Sequence, residues 1–415
     1  MAQDILAIDF GTSNTAVAVL RDGQPHRIAL EDGQETLPTA VFFPHSGGPM
    51  RVGEAAAQAL IGGEEGRYMR ALKSVLGTSL LHETRLIGGK RRSIAAIISA
   101  FLTRIREQAE SATGQPFRRA LSGRPVHFHS ADAQRDARAL TDLRDCYLAA
   151  GFDHVDFLPE PEAAAFASHG FGRAGDLGLI VDIGGGTSDF TVFRSDGSRL
   201  PQIIASHGIR LGGTDFDHAL SMAHAMPVLG HGSQLRREMG PGLLPVPNAT
   251  FADLATWAKI PFLYTPETRR MAQSMARLAV EPDRLNRLVT VLEEELGHDL
   301  AFATERGKIA ANSGANDAQI AMGFIQRGLS SPLTRDMLDR TLAGFSTDLR
   351  SAAMQVLDRA GVAPRQIGHV VLVGGSSLMD LVTGMAQQLC PDATQERAQA
   401  FTVVVDGLAL ASAAV

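Results

Sequence analysis

Residues 181–192 read V-D-I-G-G-G-T-S-D-F-T-V, and residues 8–17 read I-D-F-G-T-S-N-T-A-V. Each stretch has an apolar strand that ends in an aspartate, a turn rich in glycine and hydroxyl residues, and a second strand, which is the pattern of a β-hairpin. The two aspartates, Asp9 and Asp182, are 173 residues apart, which is far too long for a solenoid repeat. The duplication therefore predicts two similar lobes.

The length and composition restrict the class of protein. The chain has 415 residues, of which 45% are hydrophobic and 20% charged, so it can bury a sizeable core. Length alone suggests two or three domains, and the composition excludes disordered, collagen-like and disulfide-scaffold proteins. Strands and helices alternate along the chain, which predicts an α/β fold. The net charge of −6 argues against a dedicated nucleic-acid-binding protein.

The sequence also bears on the compartment. The first residues, M-A-Q-D-I-L, lack the basic segment followed by an apolar one that marks a signal peptide. No apolar run reaches the ~18 residues of a membrane-spanning helix. The two cysteines, Cys146 and Cys390, are too few for a disulfide framework or a metal cluster. We therefore expect a soluble cytoplasmic protein that binds neither membranes nor nucleic acids.

The glycine-rich turns indicate phosphate binding. Successive backbone N–H groups in such a turn form a concave array that can hold phosphate oxygens. The hydroxyls of Thr12, Ser13, Thr187 and Ser188 add donors, and a third turn, G-G-S-S, occupies residues 374–377. Two ordinary hairpin turns, in which Asp and Gly only supply turn geometry, are the alternative. The third turn favours the phosphate interpretation.

The strand-end aspartates suggest a metal. Asp9 and Asp182, if they face each other across a cleft, could hold hydrated Mg²⁺, which prefers oxygen ligands and keeps several waters. Other phosphate-binding motifs do not fit. The Walker A pattern is absent, and G-I-R-L-G-G at residues 208–213 lacks the spacing of a Rossmann fingerprint.

The basic residues are unevenly divided. Only four of the 39 are lysines: Lys73, Lys90, Lys259 and Lys308. A coding bias toward arginine explains the ratio, but a compact ammonium and a planar guanidinium are not interchangeable. We therefore expect the retained lysines to include positions that need an ammonium.

Six motifs along the chain resemble those of one family. They are D-F-G-T-S-N (9–14), L-P-E-P-E-A-A-A-F-A (158–167), D-I-G-G-G-T-S-D-F (182–190), L-G-G-T-D-F-D (211–217), E-R-G-K-I-A-A-N-S (305–313) and V-L-V-G-G-S-S (371–377). Their order is similar to that in actin-like ATPases, and the set looks most like the nucleotide-binding domain of the seventy-kilodalton heat-shock chaperones, the DnaK family. The resemblance covers nearly the whole chain. The short chain and the Gly- and Pro-rich segment 226–250 resemble the YegD-like branch.

The resemblance implies an α/β actin-like ATPase fold. Each of two lobes would have a ribonuclease-H-like core and a smaller inserted subdomain, with ATP or ADP and Mg²⁺ in the central cleft. Lobe I would comprise residues 1–175, with subdomain IB at roughly 39–118. Lobe II would comprise residues 176–415, with subdomain IIB at roughly 224–304. We expect no counterpart of the hydrophobic linker and the peptide-binding domain of the chaperones.

The resemblance also implies site residues. The positions that match the nucleotide-binding ones are Gly11, Thr12, Ser13, Asn14, Gly184, Gly185, Gly186, Thr187, Gly212, Gly213, Glu305, Lys308, Gly374 and Gly375. Glu305 and Lys308 match the helix that contacts adenosine, and Gly374 and Gly375 match the turn on the adenosine side. Asp9 and Asp182 match the aspartates that hold Mg²⁺ through water.

Three catalytic residues follow from the same comparison. Glu160 matches the carboxylate beside the attacking water, and Thr187 matches the hydroxyl near the γ-phosphate. Lys73, in R-A-L-K-S-V-L-G, matches the lysine that points at the γ-phosphate, where an ammonium can offset developing charge. Without the resemblance, Lys73 would be interpreted as a surface residue of a helix.

Two positions depart from the family pattern. Leu378 replaces an arginine that stacks on adenine, so the resemblance does not define nucleotide selectivity. Asn312 replaces a serine on the adenosine helix and keeps the ability to form hydrogen bonds.

The sequence leaves several functions open. The first is a slow Mg²⁺-dependent ATPase whose lobes open and close with nucleotide state, acting as a chaperone or a chaperone-like regulator. The second is a nucleotide-binding module whose state is recognised by a partner protein, with incidental hydrolysis. A small-molecule kinase of the same superfold and an actin-like filament are further alternatives, because fold does not fix function. The expected partners are the nucleotide and an unidentified protein partner or client.

Overall fold

The computed structural model describes residues 5–31, 33–167, 175–195, 201–397 and 402–414. The chain divides into two compact units. The first unit comprises Met1–Gly213 with Ser346–Val415, and the second comprises Thr214–Phe345. No helix in the described ranges is both long enough and apolar enough to cross a membrane.

The strands and helices are as follows. The strands are β1 (Ile5–Phe10), β2 (Asn14–Arg21), β3 (Gln24–Arg27), β4 (Thr36–Pro38), β5 (Ala40–Pro44), β6 (Arg51–Val52), β7 (Gly66–Arg70), β8 (Arg85–Ile87), β9 (Lys90–Arg92), β10 (Arg119–Arg124), β11 (His154–Pro159), β12 (Leu177–Ile183), β13 (Ser188–Arg194), β14 (Gln202–Ile209), β15 (Gln234–Arg236), β16 (Leu243–Pro245), β17 (Gln319–Ala321), β18 (Ser330–Pro332), β19 (Ile367–Val373) and β20 (Thr394–Arg397). The α-helices are α1 (Gly53–Ile61), α2 (Ile94–Thr113), α3 (Ala133–Ala149), α4 (Glu160–Ala167), α5 (Gly213–Leu220), α6 (Ala249–Leu254), α7 (Pro266–Leu278), α8 (Pro282–Glu293), α9 (Gly297–Asn312), α10 (Arg335–Ala360), α11 (Asp380–Leu389) and α12 (Val403–Ala411).

Two sheets of the first unit repeat one topology. One sheet has the order β11-β10-β1-β2-β3, with β4 also pairing with β2, and the other has the order β14-β13-β12-β19-β20. In each sheet the central strand pairs antiparallel with the next strand of its hairpin and parallel with a later strand. Both predicted hairpins are therefore present, and the duplication extends from the hairpins to whole sheets.

A core of small and aliphatic side chains joins these two sheets to α4 and α12. Ala7 and Leu121 come from one sheet and Ile180 and Val371 from the other, and all four pack with apolar side chains of the two helices in one buried cluster. The run A-A-A in α4, residues 163–165, lets a second helix approach closely, because alanine projects little beyond the backbone. The sheets and their aspartate-bearing strand ends are thus fixed around one pair of helices.

The second unit is mainly helical. Its helices α6–α9 accompany two short hairpins, β15–β16 and β17–β18. The Gly- and Pro-rich segment 226–250 contains the β15–β16 hairpin. Helix α9 carries the E-R-G-K motif, with Lys308 buried on it.

Candidate functional site

Two glycine turns have the same backbone closure. In the turn between β1 and β2, the Gly11 amide donates to the Asn14 carbonyl at 3.0 Å, and in the turn between β12 and β13, the Gly184 amide donates to the Thr187 carbonyl at 3.0 Å. A Cβ atom on Gly11 would lie 2.3 Å from the Asn14 carbonyl oxygen, so this turn excludes any side chain there. The duplicated sequence thus produces a duplicated turn.

These two turns lie directly against each other. A Cβ atom on Gly185 would be 2.5 Å from Ser13 Oγ, and one on Gly186 would be 3.3 Å from Thr12 Oγ1. The hydroxyls of the first turn therefore border the bare backbone of the second. Such an arrangement places hydroxyl and amide donors together, which suits an anion with several oxygens.

Two further predicted turns join this group. The Gly213 amide donates to the Gly184 carbonyl at 3.0 Å, and a Cβ atom on Gly212 would lie 2.5 Å from the Gly186 nitrogen. Gly374 has a φ of +81°, which favours glycine, and a Cβ atom there would lie 2.8 Å from Asp182 Oδ1. Turns that are far apart in the sequence are therefore assembled around the end of β12.

Lys73 and Glu160 form a sheltered ion pair beside these turns. Lys73 Nζ lies 2.6 Å from Glu160 Oε1, and the two side chains are 6% and 14% exposed. Lys73 belongs to a 3₁₀ turn at Leu72–Val75, and Glu160 is the first residue of α4, directly after β11. A Cβ atom on Gly123 would approach Glu160 Cγ to 3.1 Å, so the end of β10 leaves room for this carboxylate.

Three aspartates, Asp9, Asp182 and Asp189, bring carboxyl groups close together beside Glu160. Burial raises the pKa of Asp9 to about 7, with a further increase from Glu160 and an opposing effect from Lys73. Burial also raises the pKa of Asp182 well above its ordinary value, and the carboxylates of Glu160, Asp189 and Asp9 raise it further. Lys73 is the cation that opposes both shifts. Such a group of carboxylates favours binding of a cation.

Asp189 is a site residue that the sequence analysis did not name. It is 1% exposed and accepts a hydrogen bond from the Val126 amide at 2.8 Å. Burial and then Glu160 raise its pKa to about 8, while hydrogen bonds from Val126 and from the Thr187 side chain oppose the shift. A signal was available, because Asp189 pairs with Asp182 across the hairpin and is flanked by the apolar residues of β12 and by Phe190.

The donor set fits a hydrated Mg²⁺ ion. Within the described residues, no three His, Cys, Asp or Glu side chains are grouped to hold a metal directly. The predicted binding mode does not need such a group. Asp9 and Asp182 would bind the water molecules of the ion and not the ion itself, and Mg²⁺ usually keeps several waters. The carboxylate repulsion that raises the pKa of both aspartates would be relieved by a divalent cation.

A second buried ion pair lies within the second unit. Lys308 Nζ is 2.6 Å from Asp217 Oδ1, with side chains 9% and 7% exposed, and Trp257 Nε1 donates to Asp217 Oδ2 at 3.1 Å. Burial raises the pKa of Asp217 and Lys308 opposes the shift, whereas Glu305, one turn earlier on α9, adds to it. Sequence reasoning named Lys308 and Glu305 and missed Asp217, the last residue of the motif L-G-G-T-D-F-D.

Leu378, the main departure from the family pattern, lies at the end of the third turn. It closes a 3₁₀ turn at Gly375–Leu378 and is 41% exposed. An exposed leucine of this kind can cover an apolar ring face but lacks the guanidinium that stacks on one.

The raised pKa of Asp9 predicts a pH-dependent stability. Between about pH 4 and pH 7, folded Asp9 keeps a proton that unfolded Asp9 has lost, so its contribution to stability falls as pH rises through this window. Asp9→Asn removes this loss. We expect its advantage in unfolding free energy over wild type to grow by roughly 2 kcal/mol between pH 5 and pH 8, without nucleotide or divalent cations. Thermal and urea unfolding at both pH values measure it.

The control for this experiment is Asp145→Asn, at an exposed position on α3. This variant removes one exposed carboxylate away from the glycine turns, so the pH effect of Asp9→Asn is measured as the excess over it. An Asp9→Asn advantage that stays constant or shrinks as pH rises would contradict the assigned electrostatics.

Comparison with known proteins agrees with this geometry. The model of the family described as Hsp70 protein matches residues 5–87 and 83–228. The duplicated sheets and the convergent glycine turns define an actin-like ATPase fold, which confirms the predicted fold class. The chain belongs to the Hsp70 family. The narrower assignment to the YegD-like branch stays a prediction.

Several curated relatives align along most of the chain. The chaperone protein DnaK of Metamycoplasma hominis is 26% identical over 95% of this chain and 55% of its own length. Those of Thermosipho melanesiensis and Thermotoga petrophila are 26% and 28% identical over 99% and 91% of this chain, and over 59% and 54% of their own lengths. The chain thus spans a little over half the length of the relatives it matches.

Proposed function

We propose that this protein binds ATP with Mg²⁺ and hydrolyses it slowly, and that nucleotide state controls lobe opening. The observation that carries the proposal is the Lys73–Glu160 ion pair among three carboxylates, beside convergent glycine turns. Phosphate-binding backbone, a cation-seeking carboxylate group and a sheltered ammonium are the components that phosphoryl transfer requires.

The turns would bind the phosphates. Backbone amides and hydroxyls at residues 11–14 and 184–187 would donate to phosphate oxygens, with Gly212 and Gly213 beside the second turn. Gly374 and Gly375, together with Glu305 and Lys308, remain predicted contacts on the adenosine side. ADP would use the same turns and would lose the interactions specific to the γ-phosphate.

The metal would be held by Asp9 and Asp182 through its waters. When bound, Mg²⁺ would neutralise charge on the phosphate oxygens. Asp189 would reinforce this arrangement through Thr187, whose side chain is hydrogen-bonded to the Asp189 carboxylate.

Three side chains would act on the reaction itself. The Glu160 carboxylate would orient the attacking water and accept its proton as the water oxygen bonds to the γ-phosphorus. The bond from that phosphorus to the bridging oxygen would break, and ADP would leave with the bridging oxygen and its negative charge. Lys73 Nζ, which is 2.6 Å from Glu160, would face both the carboxylate and the phosphoryl group and would offset the developing charge. The Thr187 hydroxyl would donate to a γ-phosphate oxygen.

The biological role would be that of a chaperone or a chaperone-like regulator in the cytoplasm. The relatives are named as chaperone proteins. A protein partner or client that recognises the nucleotide state would couple hydrolysis to binding, because a ligand shifts a conformational equilibrium only by its differential affinity for the two states.

Phosphate release from ATP tests this function. Purified protein should release phosphate above the buffer rate with Mg²⁺, and chelation with EDTA should abolish the release. Thr187→Ala should lower it, because the γ-phosphate donor is lost. Release at the buffer rate under all conditions would refute the ATPase. Tight ATP binding without turnover would then support the nucleotide-binding module instead.

A further inference from the structure

We propose that Arg210 is a positioning residue that holds the turn carrying Lys73 and links it to the glycine turn at residues 212 and 213. The inference rests on the proposed ATPase as far as turnover is concerned, whereas the structural link is independent of it. Arg210 precedes Gly212 in the sequence G-I-R-L-G-G at residues 208–213, a segment whose arginine has no role in the proposal so far.

The turn around Lys73, residues 71–77, requires support from outside. It begins at Ala71 with a φ of 58°, a left-handed conformation that is unfavourable for a residue other than glycine. Its own backbone bonds are short-range ones, such as Leu76 N to the Lys73 carbonyl at 3.3 Å. A short turn of this kind does not fix the position of a long lysine side chain by itself.

Three side chains from different segments bind the backbone of this turn. Arg210 Nη2 donates to the Ser74 carbonyl at 3.0 Å, the His129 ring lies with Nε2 2.8 Å from the Leu76 carbonyl oxygen, and the Asp142 carboxylate accepts from the Gly77 amide at 2.9 Å. Arg210 is the contact next to Lys73, since Ser74 directly follows the lysine. Of the three side chains, Arg210 carries a permanent positive charge, and hydrogen bonds from charged donors are stronger than neutral ones.

The backbone at Arg210 and the residues that follow it is hydrogen-bonded to the glycine turns and to Ser130. Its backbone amide donates to Ser130 Oγ at 3.2 Å. The next residue, Leu211, accepts a hydrogen bond from Ser188 Oγ at 2.6 Å, and Gly213 N bonds to the Gly184 carbonyl. A shift of the glycine turn on phosphate binding would therefore move the guanidinium and, through Ser74, the catalytic lysine.

Kinetics test the positioning role. In Arg210→Ala we expect kcat for ATP to fall by about tenfold or more, with KM and ATP affinity close to wild type, because a small displacement of a catalytic group costs rate and not binding. Arg210→Lys keeps one charged donor and should recover part of the rate. Arg138→Ala, an exposed arginine of α3, is the matched control and should behave as wild type.

A double variant distinguishes positioning from general destabilisation. If Arg210 acts through Lys73, adding Arg210→Ala to Lys73→Ala should produce no further loss of rate. An unchanged kcat in Arg210→Ala, or an equal additional loss in the Lys73→Ala background, would overturn the proposal.

Hydrogen exchange tests the link without any turnover. In the nucleotide-free protein, amides of residues 71–77 should exchange faster in Arg210→Ala than in wild type or Arg138→Ala, because an anchor of the turn is lost. Unchanged exchange would refute the structural link. If wild type fails to hydrolyse ATP but exchange still increases, the ATPase fails and the link between the two turns stands.

Discussion

Lys73→Ala is expected to lower ATP turnover by about two to three orders of magnitude while nucleotide binding persists. The reason is the position of the ammonium, which is sheltered from solvent and paired with Glu160 at 2.6 Å. Its charge would stabilise the phosphoryl group mainly in the transition state, so its loss should lower kcat far more than affinity. Phosphate release and ATP titration on the same preparation measure the two effects separately.

The variant leaves Glu160 without its ammonium, so stability must be measured as well. Removing one partner of a buried ion pair costs about 3–5 kcal/mol, and assays should stay well below the midpoint of thermal unfolding. Lys73→Arg keeps the charge and should fold better, yet it should remain impaired because a guanidinium differs in shape. Lys90→Ala, at an exposed lysine of β9, is the control. Turnover equal to wild type in Lys73→Ala would contradict the assigned role.

Gly407→Ala is expected to destabilise the first unit by about 3 kcal/mol or more, at or above the usual cost of overpacking. A Cβ atom on Gly407 of α12 would lie 1.7 Å from the carbonyl oxygen of Ala163 and 2.4 Å from its carbonyl carbon, both backbone atoms of α4. Backbone cannot move aside as a side chain can, so the two helices would have to separate. The midpoint of thermal unfolding, with the urea midpoint, measures the loss.

A second helical glycine supplies the control. Gly384, in the middle of α11, has open space where a Cβ atom would be. Gly384→Ala should therefore be neutral or stabilise the protein by about 0.5–1 kcal/mol, since alanine favours helix. A Gly407→Ala variant as stable as wild type would show that α4 and α12 are not packed as described.

Much of the fold could be predicted from local sequence patterns. The two hairpins, whose first strands carry Asp9 and Asp182 near their ends, were recognisable because strand alternation and turn chemistry are encoded within about ten residues. The two sheets then follow from the duplication. Residues whose identity is set by tertiary packing were harder to predict from the sequence. A glycine is needed at position 407 because the backbone of Ala163 lies so close to it. Ala163 is far away in the sequence, and no local pattern indicates such a contact.

Contacts between residues distant in sequence leave no local pattern, and this also explains which candidate site residues could be named from the sequence. The glycine turns and Glu160 were named because they lie in recognisable motifs. Asp217 lies in one of these motifs too, and Arg210 directly precedes that motif, but their contacts with Lys308 and Ser74 join residues distant in sequence. The lysine count was informative. Lys73 and Lys308 are buried in ion pairs.

The two remaining lysines behave differently. Lys90 is exposed on β9, and Lys259 makes an exposed ion pair with Asp253. At such positions arginine would serve as well as lysine, so these two do not require a functional explanation. That Lys73 and Lys308 stand where an ammonium is needed stays a prediction, which their buried ion pairs support.

The most direct test of the central claim is calorimetric titration with ATP, ADP and GTP, with and without Mg²⁺. We predict saturable ATP and ADP binding that Mg²⁺ strengthens, with the Mg²⁺ effect reduced in Asp182→Asn because that carboxylate would hold the waters of the ion. The titration with GTP measures how strongly the protein prefers adenine to guanine when Leu378 replaces the arginine that is usual in the family. Absence of binding to every nucleotide, by protein shown to be folded, would contradict the account.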